Sequence, residues 1–248
     1  MKPCQKTLLI MVMISFSALT YRCSDNVNIW MVGDSTMADK KPDAAPETGW
    51  GMIMQEFCNE KATVRNHSLN GRSSKSFITE GHWARILDSL EKGDYVIIQF
   101  GHNDEKPDTA RHTDPFTTYK QTLRKYIDDT RSKEGVPVIC SSIVRRHFDN
   151  AGNLRDTHGE YITAAREIAE ETNTAFIDME ALTRKMVIEA GQEKSKEFFL
   201  FCAPGEFENR PEGARDSTHL SAYGARKVVG LFAERVKELN LTLAGLLR

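Results

Sequence analysis

The chain has 248 residues, 40% of them hydrophobic, enough to bury one substantial core and within the range of a single α/β domain. A formal net charge of -2 and a pI near 6.4 exclude the strongly basic footprint of a nucleic-acid binder. None of the cysteines shows the close pairing of a metal site, which excludes a zinc module.

Near the N-terminus, Lys2 and Lys6 precede the apolar run "LLIMVMISFSAL". It is too short to cross a bilayer but has the length of a signal-peptide core. The pattern predicts a signal peptide over about residues 1–22, a single domain over 23–248 and a secreted or periplasmic protein with no transmembrane segment in its mature chain. Arg22 directly before Cys23 is a poor context for lipid attachment, so secretion is favoured over an anchor. Cys23, Cys58, Cys140 and Cys202 are read as packing thiols.

From there on, short β-rich runs alternate with longer helical patterns, as in successive βαβ units. The strand candidates are "VNIWMVG", "ATVRNHS", "DYVIIQF", "VPVICSS" and "TAFID". Helical patterns lie between and after them, in "GWGMIMQEFCNE", "HWARILDSLEK", "FTTYKQTLRKYIDDTRSK", "EYITAAREIAEET", "ALTRKMVIEAG" and "AYGARKVVGLFAERVKEL". "YVIIQF" and "VPVIC" are almost continuously apolar, as strands covered on both faces should be. The expected architecture is an α/β three-layer αβα sandwich with a five-stranded, mostly parallel, flavodoxin-like sheet, whose ligands sit beyond the carboxyl ends of the strands.

Those strand ends carry the chemistry. The first runs into Gly33-Asp34-Ser35, the second into "LNGRSSKS" with Gly71, and the third into Gly101-His102-Asn103-Asp104; "RDSTHL" precedes the last helix. A serine hydroxyl needs a neighbouring base, a neutral histidine is the usual one, and a carboxylate must orient that histidine. Ser35, His219 and Asp216 satisfy this by residue type. A charge developing on an attacked carbonyl oxygen needs fixed donors, and the candidates are the Ser35 N–H at a helix start, the Gly71 N–H and the Asn103 amide. Taken singly, each residue has a structural alternative: a serine cap, a glycine turn or an Asx turn.

In order and spacing, "GDST", "NGRSSKS", "GHND" and "DSTHLSAYGA" resemble the four blocks of the SGNH/GDSL hydrolases, and the wording is closer still to the rhamnogalacturonan acetylesterases. The resemblance runs from about Asn28 to about Ala225. It implies a serine esterase that removes O-acetyl groups from a pectic polysaccharide through an acetyl-enzyme, with no metal and no cofactor. The competing readings are an esterase for xylan, another acetylated cell-wall polymer or lipid acyl esters, and a catalytically silent carbohydrate-binding protein. Arg72, Lys75, Arg145, Arg146 and Arg215 lie on the same loops and are candidates for gripping galacturonate carboxylates. The segment from Glu193 to Gly213 matches no block and is read as a substrate wall, a lid or packing.

Overall fold

The computed structural model describes residues 26–248, so the expected signal peptide and Cys23 lie outside the described residues. Strands β1 (Val27–Gly33), β2 (Ala62–Asn66), β3 (Tyr95–Gln99), β4 (Val136–Cys140) and β5 (Ala175–Ile177) form one sheet. Their order is β2-β1-β3-β4-β5 and every pairing is parallel. The helices are α1 (Trp50–Ile53), α2 (Ser74–Thr79), α3 (His82–Leu87), α4 (Lys120–Ser132), α5 (Glu160–Glu171), α6 (Met179–Lys194) and α7 (Ala222–Glu238).

Alternation along the strands explains the three layers. Side chains of a strand point to opposite faces in turn, so β1 sends Ile29 and Met31 to one side and Trp30 and Val32 to the other. The first pair packs in a cluster with Trp50 of α1, Val187 of α6, and Val228 and Phe232 of α7. The second pair joins Phe77 of α2, Trp83 of α3, Tyr126 of α4 and Ile168 of α5. A strand buried on both faces is apolar along nearly its whole length, which is why β3 reads "YVIIQ" and is buried throughout, its one polar residue, Gln99, being hydrogen-bonded.

Two local features depart from the expected elements. The predicted helix over 49–60 is a single α-turn followed by a 3-10 turn at Met54–Phe57. Its first N–H groups, those of Trp50 and Gly51, bond to the carbonyls of Thr36 and Met37 and dock the turn on the loop after β1. The second departure begins in the unmatched segment and runs into the last matched block. Strands β6 (Phe199–Cys202) and β7 (Ala214–Leu220) form an antiparallel pair outside the main sheet. Asp216 and His219 therefore sit on a strand, and the following α7 is capped by Ser221, whose hydroxyl accepts the Gly224 N–H at 3.0 Å. At Gly224 a Cβ would lie 1.8 Å from the Phe198 carbonyl oxygen, so only glycine lets α7 approach the segment leading into β6 this closely.

Cys58 and Cys140 are buried free thiols and Cys202 is a half-buried one. Burial pushes the Cys58 thiol up to about 11 and raises that of Cys140, which suits inert packing groups. Among the described residues, no helix is long and apolar enough to cross a membrane.

Candidate active site

In the strand order, β1 lies between β2 and β3, so the chain leaves β1 first to one side and later to the other, opening a crevice at its carboxyl end. Ser35 stands there, two residues past Gly33. The segment around it is a turn, correcting the expected helix start: the Met37 and Ala38 N–H groups bond back to the Asp34 carbonyl at 3.2 and 3.0 Å. Asp34 is fully buried, and its Oδ1 accepts both the Thr36 N–H and the Thr36 hydroxyl at 2.9 Å. A buried polar line continues beneath: the Gln99 amide donates to Thr36 Oγ1 at 2.8 Å, and the Trp50 indole N–H donates to Gln99 Oε1 at 2.9 Å. These partners were not singled out in the sequence, where a tryptophan and a glutamine on separate elements give no sign of meeting.

The edge of β7 brings the base. His219 Nε2 is 2.9 Å from Ser35 Oγ, and His219 Nδ1 is 2.7 Å from Asp216 Oδ2. Burial opposes ionisation of Asp216, but it is outweighed by hydrogen bonds from the His219 ring and from the His219 and Thr218 N–H groups, and the carboxyl is held down at about 2. An ionised carboxylate only accepts, so Nδ1 carries the ring hydrogen and Nε2 is left to accept from the serine. Two main-chain bonds fix β7 against the crevice: the Arg146 N–H donates to the Ser217 carbonyl at 2.8 Å and the Thr48 N–H to the Leu220 carbonyl at 2.9 Å.

Facing Ser35 are the loops after β2 and β3. Gly71 has φ of 76°, a left-handed conformation that favours glycine and needs no Cβ, and its N–H has no protein acceptor among the described residues. Among the described residues, the Ser35 N–H likewise has no protein acceptor. Asn103 is buried, and its Nδ2 donates one hydrogen to the Arg72 carbonyl at 3.0 Å, leaving the second for another acceptor. Asp104 clamps the two loops together: its carboxylate accepts the Ser74 hydroxyl at 2.5 Å, the Ser74 N–H at 3.0 Å and the Thr113 hydroxyl at 3.0 Å. Burial outweighs these bonds and pushes the carboxyl up to about 7.

The five basic candidates do not behave alike. Arg146 is buried, donates to Ser195 Oγ at 2.9 Å and to the Gln192 carbonyl, and lies over the rings of Phe148 and Phe201. Its charge is spent inside the fold. Arg145 pairs with Glu105 and donates to the His102 and Thr157 carbonyls at 3.3 Å, with 13% of its side chain exposed. Arg72 is half-buried, grips Glu80 through two nitrogens at 2.9 Å and donates to the Asn70 carbonyl at 3.0 Å. It braces the Gly71 loop. Lys75 donates to the Thr109 carbonyl at 2.7 Å. Only Arg215 is exposed and without an ion pair among the described residues. Of the five candidates, the structure thus places the guanidinium groups of Arg72, Arg145 and Arg146 in bonds within the fold.

Behind the site, the His102 and His158 rings lie tilted at 36° with centroids 4.5 Å apart, and His102 Nδ1 is 4.0 Å from Asp34 Oδ2. Burial, then the neighbouring His158 and Arg145, hold the His102 imidazole well below its usual range, so it is neutral at pH 7. A cavity of about 650 Å³ between α6 and α7 is lined by none of Ser35, Gly71, Asn103, Asp216 and His219. The arrangement at the carboxyl end of β1 can therefore move a proton from a hydroxyl to an imidazole.

Residues 31–227 match the model of the GDSL-like lipase/acylhydrolase family. The chain is 40% identical over 217 residues to the rhamnogalacturonan acetylesterase RhgT of Bacillus subtilis, covering 88% of this chain and 92% of that one. Among solved structures, a Bacillus subtilis protein superposes with a TM-score of 0.74 at 22% identity, over 88% of this chain; this chain spans 58% of its length. The acetylxylan esterase Axe2 of Geobacillus stearothermophilus superposes with a TM-score of 0.59 at 20% identity, over 85% of this chain and 94% of that one. At these identities the structural likeness speaks to the fold.

Proposed function

The chain belongs to the GDSL-like lipase/acylhydrolase family, and we propose that it is a serine carbohydrate esterase removing O-acetyl groups from rhamnogalacturonan. The chemistry rests on one observation: the hydrogen-bonded line from Ser35 through His219 to Asp216, opening onto unpaired N–H groups. The substrate class is supported by the 40% identity to a rhamnogalacturonan acetylesterase over nearly the full length of both chains.

In the proposed reaction His219 Nε2 takes the Ser35 proton as Oγ bonds to the acetyl carbonyl carbon. The carbonyl oxygen becomes an oxyanion, held by the N–H groups of Ser35 and Gly71 and the free hydrogen of the Asn103 amide. The imidazolium then gives its proton to the sugar oxygen as the ester bond breaks, leaving acetyl-Ser35. Water, deprotonated by the same nitrogen, attacks that acetyl group; acetate leaves and Ser35 recovers its proton. Asp216 stays ionised throughout and stabilises the imidazolium. A polysaccharide of this kind is met outside the cell, and the apolar run behind Lys2 and Lys6 supports export.

Acetate release from acetylated rhamnogalacturonan, acetylated xylan and a small chromogenic acetyl ester tests the reading. The proposal expects turnover of the small ester and the highest kcat/KM on rhamnogalacturonan. Preference for xylan would move the substrate assignment, and no hydrolysis of any acetyl ester would return the chain to a binding role.

A further inference from the structure

Lys40 lies five residues beyond Ser35 and is not part of the hydrogen-bonded line. Its side chain is only 2% exposed, and its ammonium has three protein acceptors: the Ser35 carbonyl at 2.5 Å, Asn70 Oδ1 at 2.7 Å and Glu47 Oε1 at 2.8 Å. An ammonium carries three donors, so the group is fully used. A buried lysine is costly unless paired and hydrogen-bonded, and this one satisfies both conditions.

The three acceptors come from two loops, Ser35 and Glu47 from opposite ends of the β1–α1 connection and Asn70 from the loop after β2. The first is the carbonyl of the proposed nucleophile itself. The second is the side chain of the residue whose peptide unit supplies the Gly71 N–H; the carbonyl of that same unit is gripped from outside by Arg72. The third, Glu47, lies on a segment that bridges to Ser221 and whose next residue donates to the Leu220 carbonyl, beside His219. Glu47 is approached from its other oxygen by Arg210 at 3.7 Å, while Asn209 donates to the Asp43 and Ala45 carbonyls at 2.6 Å. The segment that matched no sequence block thus buttresses the anchor of Lys40.

We propose that Lys40 is a positioning residue for acyl transfer: it fixes the Ser35 and Gly71 N–H groups relative to each other and to the loop beside the base, so that the oxyanion hole exists before substrate arrives. The inference rests on the esterase reading. Preorganisation of this kind acts on the rate and not on ground-state binding, because the donors meet their full charge only in the transition state. A misplacement of about 1 Å at reacting groups costs about 10²-fold in rate. Arginine is a poor substitute, since its planar fork does not offer three diverging donors from one atom.

The test uses the full chain as wild type, Lys40→Met and Asn70→Ala. The last changes an exposed side chain and removes one of the three acceptors without disturbing the core. Active sites are counted after exhaustive labelling with a fluorophosphonate, and kcat and KM for a neutral chromogenic acetyl ester are expressed per labelled site, so that loss of folded protein does not count as loss of rate. Lys40→Met should lose about 10²-fold in kcat with KM within about threefold. Asn70→Ala should lose about tenfold, the worth of one hydrogen bond to a charged group, and decides the matter if Lys40→Met does not fold. Retention of kcat within about threefold in the deciding variant, or a loss confined to KM, overturns the role of Lys40. A wild-type chain that neither hydrolyses the ester nor labels at Ser35 overturns the esterase reading, and the positioning role with it.

Discussion

Removing the Asn103 amide separates oxyanion stabilisation from every other role at the site. Asn103→Ala deletes a side chain that is 5% exposed and touches neither Ser35 nor His219 by any hydrogen bond. One Nδ2 hydrogen is engaged at 3.0 Å with the Arg72 carbonyl, and the other is free. Losing the first costs about 0.5–1.5 kcal/mol of stability, the net value of an ordinary hydrogen bond. Losing the second removes one of the three proposed oxyanion donors, worth about 10²–10³ in kcat, or about 2.7–4 kcal/mol of transition-state stabilisation. The two effects differ in kind, so thermal unfolding should shift by only a few degrees while kcat for a chromogenic acetyl ester collapses at nearly constant KM. A fall in kcat below about tenfold would remove Asn103 from the oxyanion hole, and an equal effect on KM would show that the amide binds ground-state ester.

Asp216→Asn should fold and lose about 10⁴-fold in kcat, because an asparagine amide can donate to His219 Nδ1 and drive the ring hydrogen to Nε2, where it faces Ser35; a loss below about 10²-fold, in steady-state assays, would contradict the orienting role. The same carboxyl lies at about 2 in the folded protein against an ordinary 3.8, so its contribution to stability is present above 3.8 and is lost as pH falls through 2. With 35% of the side chain exposed, screening reduces that contribution to about 1 kcal/mol, and urea midpoints of wild type and Asp216→Asn should converge as the pH drops from 5 towards 2.5; a gap independent of pH would refute it. Arg146→Ala should destabilise by about 2–4 kcal/mol through its lost bonds to Ser195 and Gln192 and its contacts with Phe148 and Phe201, with KM for the polymer unchanged; calorimetry with steady-state kinetics checks both.

The main sheet was readable because its signal is local. Runs such as "YVIIQF" are almost continuously apolar, and glycine with small polar residues marks where each strand ends, so five strands and the loops bearing Ser35, Gly71 and Asn103 follow from composition along the chain. The strand carrying Asp216 and His219 was not readable. "ARDSTHL" has no apolar alternation, and it is a strand only because it pairs with Phe199–Cys202 across a long loop. Charge placement was a weaker guide still: sequence locates Arg145 and Arg146 on the loop after β4, but whether a guanidinium meets solvent or Glu105, Ser195 and Gln192 depends on partners distant in the chain. Lys40 was silent for the same reason, its three acceptors being brought together from both ends of the β1–α1 connection and from the loop after β2.

The most direct test of the account is to quench the chain during turnover of acetylated rhamnogalacturonan and map acetyl groups on its peptides by mass spectrometry, with Ser35→Ala in parallel. The account predicts an acetyl group on the Ser35 peptide of the wild type, released as acetate on continued incubation, and neither adduct nor appreciable acetate with Ser35→Ala. Acetate released by Ser35→Ala at the wild-type rate, or an acetyl adduct on another residue during turnover, would contradict it.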